Sequence, residues 1–137
     1  MGLMAFYGGN LDEVKNDQVK QIFIRIAEEI DTILHMNEED IQMLHDAHHE
    51  LKIERNILEK YRLLLYELKK ILAQTKIRKR TVKMVHDYVF NLYHIEHAMG
   101  KELFRSKNEE FKRHYRDFRI PLLKQVKAES DKLKNYF

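Results

Sequence analysis

Cysteine and tryptophan are absent from this 137-residue chain, proline occurs once and glycine four times. Without cysteine there is no disulfide, no thiolate metal site and no cysteine nucleophile, which suits a reducing compartment. So few turn formers do not suit an all-β or α/β chain, so an all-α fold is expected. No stretch approaches the ~18 apolar residues of a membrane span. Met1 to Gly9 has neither a basic n-region nor a sustained apolar run, so no signal peptide is expected. A cytoplasmic protein without membrane contact is the expectation. A Gly-rich phosphate loop, a serine nucleophile with a partnered histidine and paired catalytic carboxylates are also missing.

What the chain has in plenty is charge, 34% of its residues with a formal net of +3, dispersed except for one basic cluster. That balance permits an acidic or nucleic-acid partner without demanding one. Leu44, Leu51, Leu58, Leu65 and Leu72 stand seven residues apart, a spacing that returns to nearly the same face of a helix. Ile57, Leu64 and Ile71 thicken this seam on one side, Tyr61 and Leu68 on the other. Upstream the matching positions are Ala47, Glu50 and Glu54.

Residues 1–10 read as an irregular arm and 11–137 as one helical-bundle domain. Asn10 and Glu13 suit the start of a first helix over about 11–34, whose stripe is Val19, Phe23, Ile26, Ile30 and Ile33. Asn37 is placed to cap a long second helix, with Glu38, Glu39 and Asp40 on its first turn and Met36 able to pack on Ile41. The stripe Val82, Val85, Val89, Leu92, Met99 and Leu103 falls out of phase with the leucines, so a turn is expected across 75–81, where four bases gather. A third helix follows over about 81–104. Ser106 and Glu109 suit a capping box for a fourth, with Phe111, Tyr115, Phe118, Leu122, Val126 and Leu133 on its inner face. Pro121 predicts a kink near 117–121. The expected fold is an antiparallel four-helix bundle with a long second helix; the alternative is an unbroken long helix exchanged between two copies.

Tyr61, Tyr66, Tyr88, Tyr93, Phe111, Tyr115 and Phe118 recur at helical spacing, which suits core packing, with Met84 and Met99 as filler. Lys124, Lys127, Lys132 and Lys134 read as a solvated face.

Two groups of residues could carry chemistry. Eight histidines occur, and His45 with His49, and His94 with His97, are one helical turn apart, as imidazoles that share an ion would be. Glu96 interrupts the apolar stripe between Leu92 and Met99, where an unpaired charge is costly. Reversals near 77 and 106 bring Glu54, Glu96, His97 and His114 to one level, and that set is the candidate metal site. The run from Leu44 through His45, Asp46, Ala47, His48, His49 and Glu50, followed by His94, Glu96, His97 and His114, resembles the hemerythrin-like HHE bundles. The resemblance implies iron, or another divalent metal, held between helices.

The second group is Arg80 with His86 and, two residues on, Tyr88. This spacing is similar to the Arg and His signature of HEPN domains, helical bundles that often dimerise and in many members cut RNA. The resemblance implies that Arg80 would hold phosphate and His86 would serve proton transfer, with Lys76, Arg78, Lys79 and Arg80 as the nucleic-acid contact in an RNA-directed nuclease or toxin.

The leading expectation is a bundle that acts through protein contacts without catalysis, as a homodimer or with another protein. Part of the second helix's seam, or Leu3, Phe6 and Tyr7 of the arm, would be left for that partner.

Overall fold

The computed structural model describes residues 16–137. The expected arm and the expected start of the first helix, with Asn10 and Glu13, lie outside the described residues. Among those described there is no strand. The elements are α1 (Asn16–Met43), α2 (His48–Leu72), α3 (Lys79–Leu103), α4 (Glu109–His114), a π-helical turn (Tyr115–Arg119), α5 (Ile120–Asp131) and a closing 3₁₀ turn (Lys132–Tyr136). The last four run on without a break as the fourth rod of an all-α bundle. No helix is long and apolar enough to cross a membrane among these residues.

The chain does fold back after α2. Tyr61 on α2 reaches Glu96 on α3, and the Tyr88 hydroxyl donates to the carbonyl of Lys60. The turn occupies residues 73–78, a few residues ahead of the expected 75–81. An unbroken helix across residues 73–78 is therefore not what this chain forms.

Three boundaries differ from expectation. The first reversal lies at residues 44–47, not near 35–37, and α1 runs straight through Asn37. A residue with a good capping side chain stays helical when its inward face has a partner, and Asn37 is buried with its amide bonded to Glu54. Asn108, not Ser106, caps the fourth rod: its side chain accepts from the Phe111 amide at 3.0 Å, while Ser106 accepts from the Asn108 amide at 3.1 Å. Around Pro121 the chain forms a π turn, in which the Ile120 amide bonds the Tyr115 carbonyl five residues back. Proline supplies no amide to an α-type ladder, so the hydrogen bonds skip one residue ahead of it.

That extra residue changes the face the fourth rod buries. Phe111, Tyr115, Val126 and Leu133 point inward as expected, but Arg119, Leu123 and Ser130 join them where Phe118, 56% exposed, and the partly buried Leu122 were expected. Tyr66 and Met84, also expected in the core, are exposed. On α2 the leucine ladder forms one edge of the seam, and the most deeply buried line is Glu54, Ile57, Tyr61, Leu64 and Leu68. This seam packs on the chain's own helices, with Leu72 at its end partly buried. Tyr66 and Leu63 lie on the opposite side of α2.

Candidate functional site

Toward the end of the bundle that carries the α1–α2 turn, each rod contributes one charged side chain: Asp40 from α1, Glu54 from α2, Glu96 from α3 and Arg119 from the π turn. All four are completely buried. Arg119 is the centre. Its Nη1 donates to Asp40 at 3.0 Å and to Glu54, and its Nε donates to Glu96 at 3.1 Å, with Nη2 2.9 Å from the same carboxylate oxygen. The guanidinium also lies 4.8 Å from the centre of the Tyr115 ring, close enough for a cation–π contact.

A second shell of donors completes the arrangement. Asn37 donates to Glu54 at 2.8 Å, the Tyr61 hydroxyl donates to Glu96 at 3.1 Å, and the His114 ring bonds Asp40 at 2.6 Å. The other ring nitrogen of His114 is 3.4 Å from Glu39 at the surface. Glu54 Oε1 and Glu96 Oε2 have no hydrogen-bond partner.

Burial governs the protonation of this centre. It raises the Asp40 and Glu54 carboxyls above their ordinary values, and Arg119 offsets that only in part. Burial opposes the charge on Arg119, yet Glu96 and Glu54 outweigh it and raise its pKa well above the ordinary value. The phenols of Tyr61 and Tyr115 are also driven upward, by burial first and then by Glu96. With three carboxylates around one guanidinium, the folded core favours holding protons on Asp40 and Glu54.

Of the four residues expected at a metal centre, Glu54 and Glu96 do meet, through Arg119. His114 joins at one remove, through Asp40. His97 does not join: it lies exposed on the outer side of α3, its ring stacked at 6.4 Å on Tyr93. Among the described residues no three potential ligands are grouped so as to hold an ion. The other histidines are dispersed. His45 lies in the α1–α2 turn beside Asp46, and His49 bonds Glu102 at 2.6 Å across the end of the bundle.

Arg80 is exposed on the first turn of α3. His86 is nearly buried, with its Nδ1 3.0 Å from Asp87, its Nε2 3.7 Å from Asp131 and its ring 5.3 Å from that of Phe137. Six helical residues separate Arg80 and His86 by ~9 Å along the axis and ~120° around it, so they project from different faces. Lys76, Arg78 and Lys79 are exposed with Arg80 around the turn that precedes α3.

Sequence reasoning identified Glu54, Glu96 and His114 but missed Asn37, Asp40 and Arg119. The signal for the first two was present, since 26, 30, 33, 37, 40 and 44 keep the helical period throughout; reading Asn37 as a cap cut the period short. Arg119 could not be found that way, because its inward position depends on the π turn. Compared with known proteins, the chain matches no family model, no curated protein and no solved structure, so its function is argued from this geometry alone.

Proposed function

We propose that the protein is a non-catalytic helical bundle that acts through protein contacts, pairing with a second copy of itself along the outer face of α3. The observation that carries this is a run of rings on that face. Phe137 touches His86, His86 stacks at 6.4 Å on Phe90, and Phe90 meets His94 edge-on at 4.4 Å. Phe90 and Phe137 are 44% and 39% exposed, and exposed aromatic clusters of this kind are typical of interface cores.

The flanking charges suit a second copy. Lys83 pairs with Asp87 at 2.7 Å and Lys127 with Asp131 at 3.1 Å, Lys134 lying 3.9 Å from the same Asp131, so the acids and bases around the patch largely offset one another. In a two-fold interface a surface meets itself, and a neutral, apolar patch does so without like-charge repulsion. The interior supports a structural role, because its most reactive groups are bonded to one another.

Sedimentation equilibrium between ~10 and ~200 µM tests this reading, a span that covers ordinary dimer affinities. A dimer of the 16.7 kDa chain is expected, converted to monomer by Phe90→Asp with unchanged helical circular dichroism. A monomer at every concentration, or a dimer indifferent to Phe90→Asp, would overturn it.

A second reading, a metal-binding bundle, has the convergence of Glu54 and Glu96 in its favour. It requires Arg119 to leave the position between them. Metal analysis of untagged protein tests it: less than about a tenth of an equivalent of iron, manganese or zinc after incubation with each would dismiss a site with micromolar affinity.

A further inference from the structure

A cleft of about 270 Å³ opens between α3 and the fourth rod, walled by Tyr93, Gly100, Phe104, Tyr115, Ile120 and Leu123. This is the space of roughly nine waters, slightly below the usual range for small-ligand sites. Gly100 helps to define it. A Cβ at this position would stand 3.1 Å from the Tyr115 hydroxyl, so the missing side chain lets Tyr115 approach and leaves the wall between them open.

The two ends of the cleft differ chemically. Its inner end is bounded by Glu96, which is fully buried and whose Oε2 has no hydrogen-bond partner, so a ligand reaches that oxygen by displacing a wall side chain. A buried acceptor left unbonded is costly, and a donor delivered along the cleft would relieve that cost. The outer end is rimmed by Lys101, Arg116 and Lys124. Arg116 is already bonded to Asp117 at 2.9 Å, whereas Lys101 and Lys124 are exposed and form no ion pair among the described residues. Between the ends the walls are aromatic and aliphatic.

We propose that this cleft binds a small aromatic carboxylate that carries a hydroxyl or N–H donor on the side of the ring opposite its acid group. The donor bonds Glu96, the ring packs between Tyr93, Phe104 and Tyr115, and the carboxylate meets Lys101 and Lys124 at the mouth. An acid without the ring would leave the walls unfilled. A cationic ligand would meet the basic rim unfavourably. A ring without the donor would leave Glu96 unsatisfied. The cleft adjoins the pairing patch, since Lys127 lies over the rings of both Phe90 and Tyr93, but neither Phe90 nor Phe137 is part of its lining.

The test is titration of the full chain with 3-(4-hydroxyphenyl)propionate by calorimetry and by amide NMR, with the Gly100 amide as the local reporter. Saturable binding with a dissociation constant below about 1 mM is expected for a ligand of this size, with a shift of the Gly100 signal. 3-Phenylpropionate, which lacks the donor, should bind about fivefold to tenfold more weakly, and tyramine, which lacks the acid, should not saturate. Lys101→Glu with Lys124→Glu, both on the surface, should weaken binding at least about tenfold while leaving the fold intact. No saturation below about 5 mM, a Gly100 signal that does not move, or equal binding of the hydroxylated and plain acids would each overturn the assignment.

Discussion

Two levels of the same bundle show two ways of burying a cross-section. Along one stretch, Phe23 of α1, Leu68 of α2, Val89 of α3 and Val126 of α5 line the interior, all buried and all apolar. Roughly two turns away along α3 and the fourth rod, and four to five along α1 and α2, the four rods present Asp40, Glu54, Glu96 and Arg119, equally buried and all charged. The apolar level is held by removal of surface from water, which is non-directional and tolerates modest changes of register. The charged level has little such tolerance, because a planar guanidinium reaches three carboxylates only when all four rods stand at one height. The apolar level therefore supplies most of the stability, and the charged level selects among the arrangements that stability would otherwise allow.

The largest effect should come from breaking the charged level at its centre. Arg119→Met leaves three buried carboxylates without their cation, and a loss of about 3–5 kcal/mol in urea unfolding is expected. Arg119→Lys should recover little of it, since an ammonium cannot span three acceptors. Adding Asp40→Asn, Glu54→Gln and Glu96→Gln to Arg119→Met should restore a measurable part, because the penalty lies in the uncompensated charges and not in the lost volume.

At the apolar level the expected cost is smaller and of another kind. Leu68→Ala should destabilise by about 2–4 kcal/mol through lost transfer energy and the cavity left behind. Leu68→Met, which conserves volume, should cost less than about 1.5 kcal/mol. If Arg119→Met proved milder than Leu68→Ala, the assignment of register selection to the charged level would fail.

Why the two levels differed in legibility from sequence follows from the same physics. Phe23, Leu68, Val89 and Val126 all stood in the expected stripes, because hydrophobic periodicity records which face is buried. The polar level is written in residues that also serve elsewhere: Asn37 and Asp40 are good helix starters, and both were read as such. Glu96 was noticed because it interrupted an otherwise apolar stripe. Arg119 lay one residue off the predicted face, since periodicity alone does not announce that Pro121 will be accommodated by a π turn. The exposed rings of Phe90 and Phe118 were invisible for a related reason, as an aromatic at helical spacing looks the same on either side of a helix.

Proton uptake offers a finer comparison of the two levels. Burial raises the Asp40 and Glu54 carboxyls above their ordinary values of 3.8 and 4.5. The folded state therefore binds these protons more tightly than the unfolded state does. Their contribution to stability is fully present below the ordinary values and is lost as the pH rises through the raised ones. The melting temperature should accordingly rise as the pH is lowered through the raised values toward the ordinary ones, and Glu54→Gln should flatten that slope. Leu68→Met, at the level with no titrating group, should lower the whole curve and leave its slope unchanged.

Salt separates the buried charges from exposed ones, and the smallest effect is expected there. His49 and Glu102 join α2 to the end of α3 at 2.6 Å, on side chains that are 67% and 43% exposed. The hydrogen bond from His49 lowers the Glu102 carboxyl below its usual range, so the stability it lends is present at neutral pH and lost as the pH falls through that lowered value. Solvent screens such a pair heavily. His49→Ala should lower the melting temperature by less than about 3 °C, and about 0.5 M salt should abolish the difference. The same salt should leave the cost of Arg119→Met nearly unchanged, because ions do not penetrate the level at which Arg119 meets its three carboxylates. A salt-sensitive Arg119 variant would mean that this centre opens to solvent, and that its four rods are not held in one register by charge.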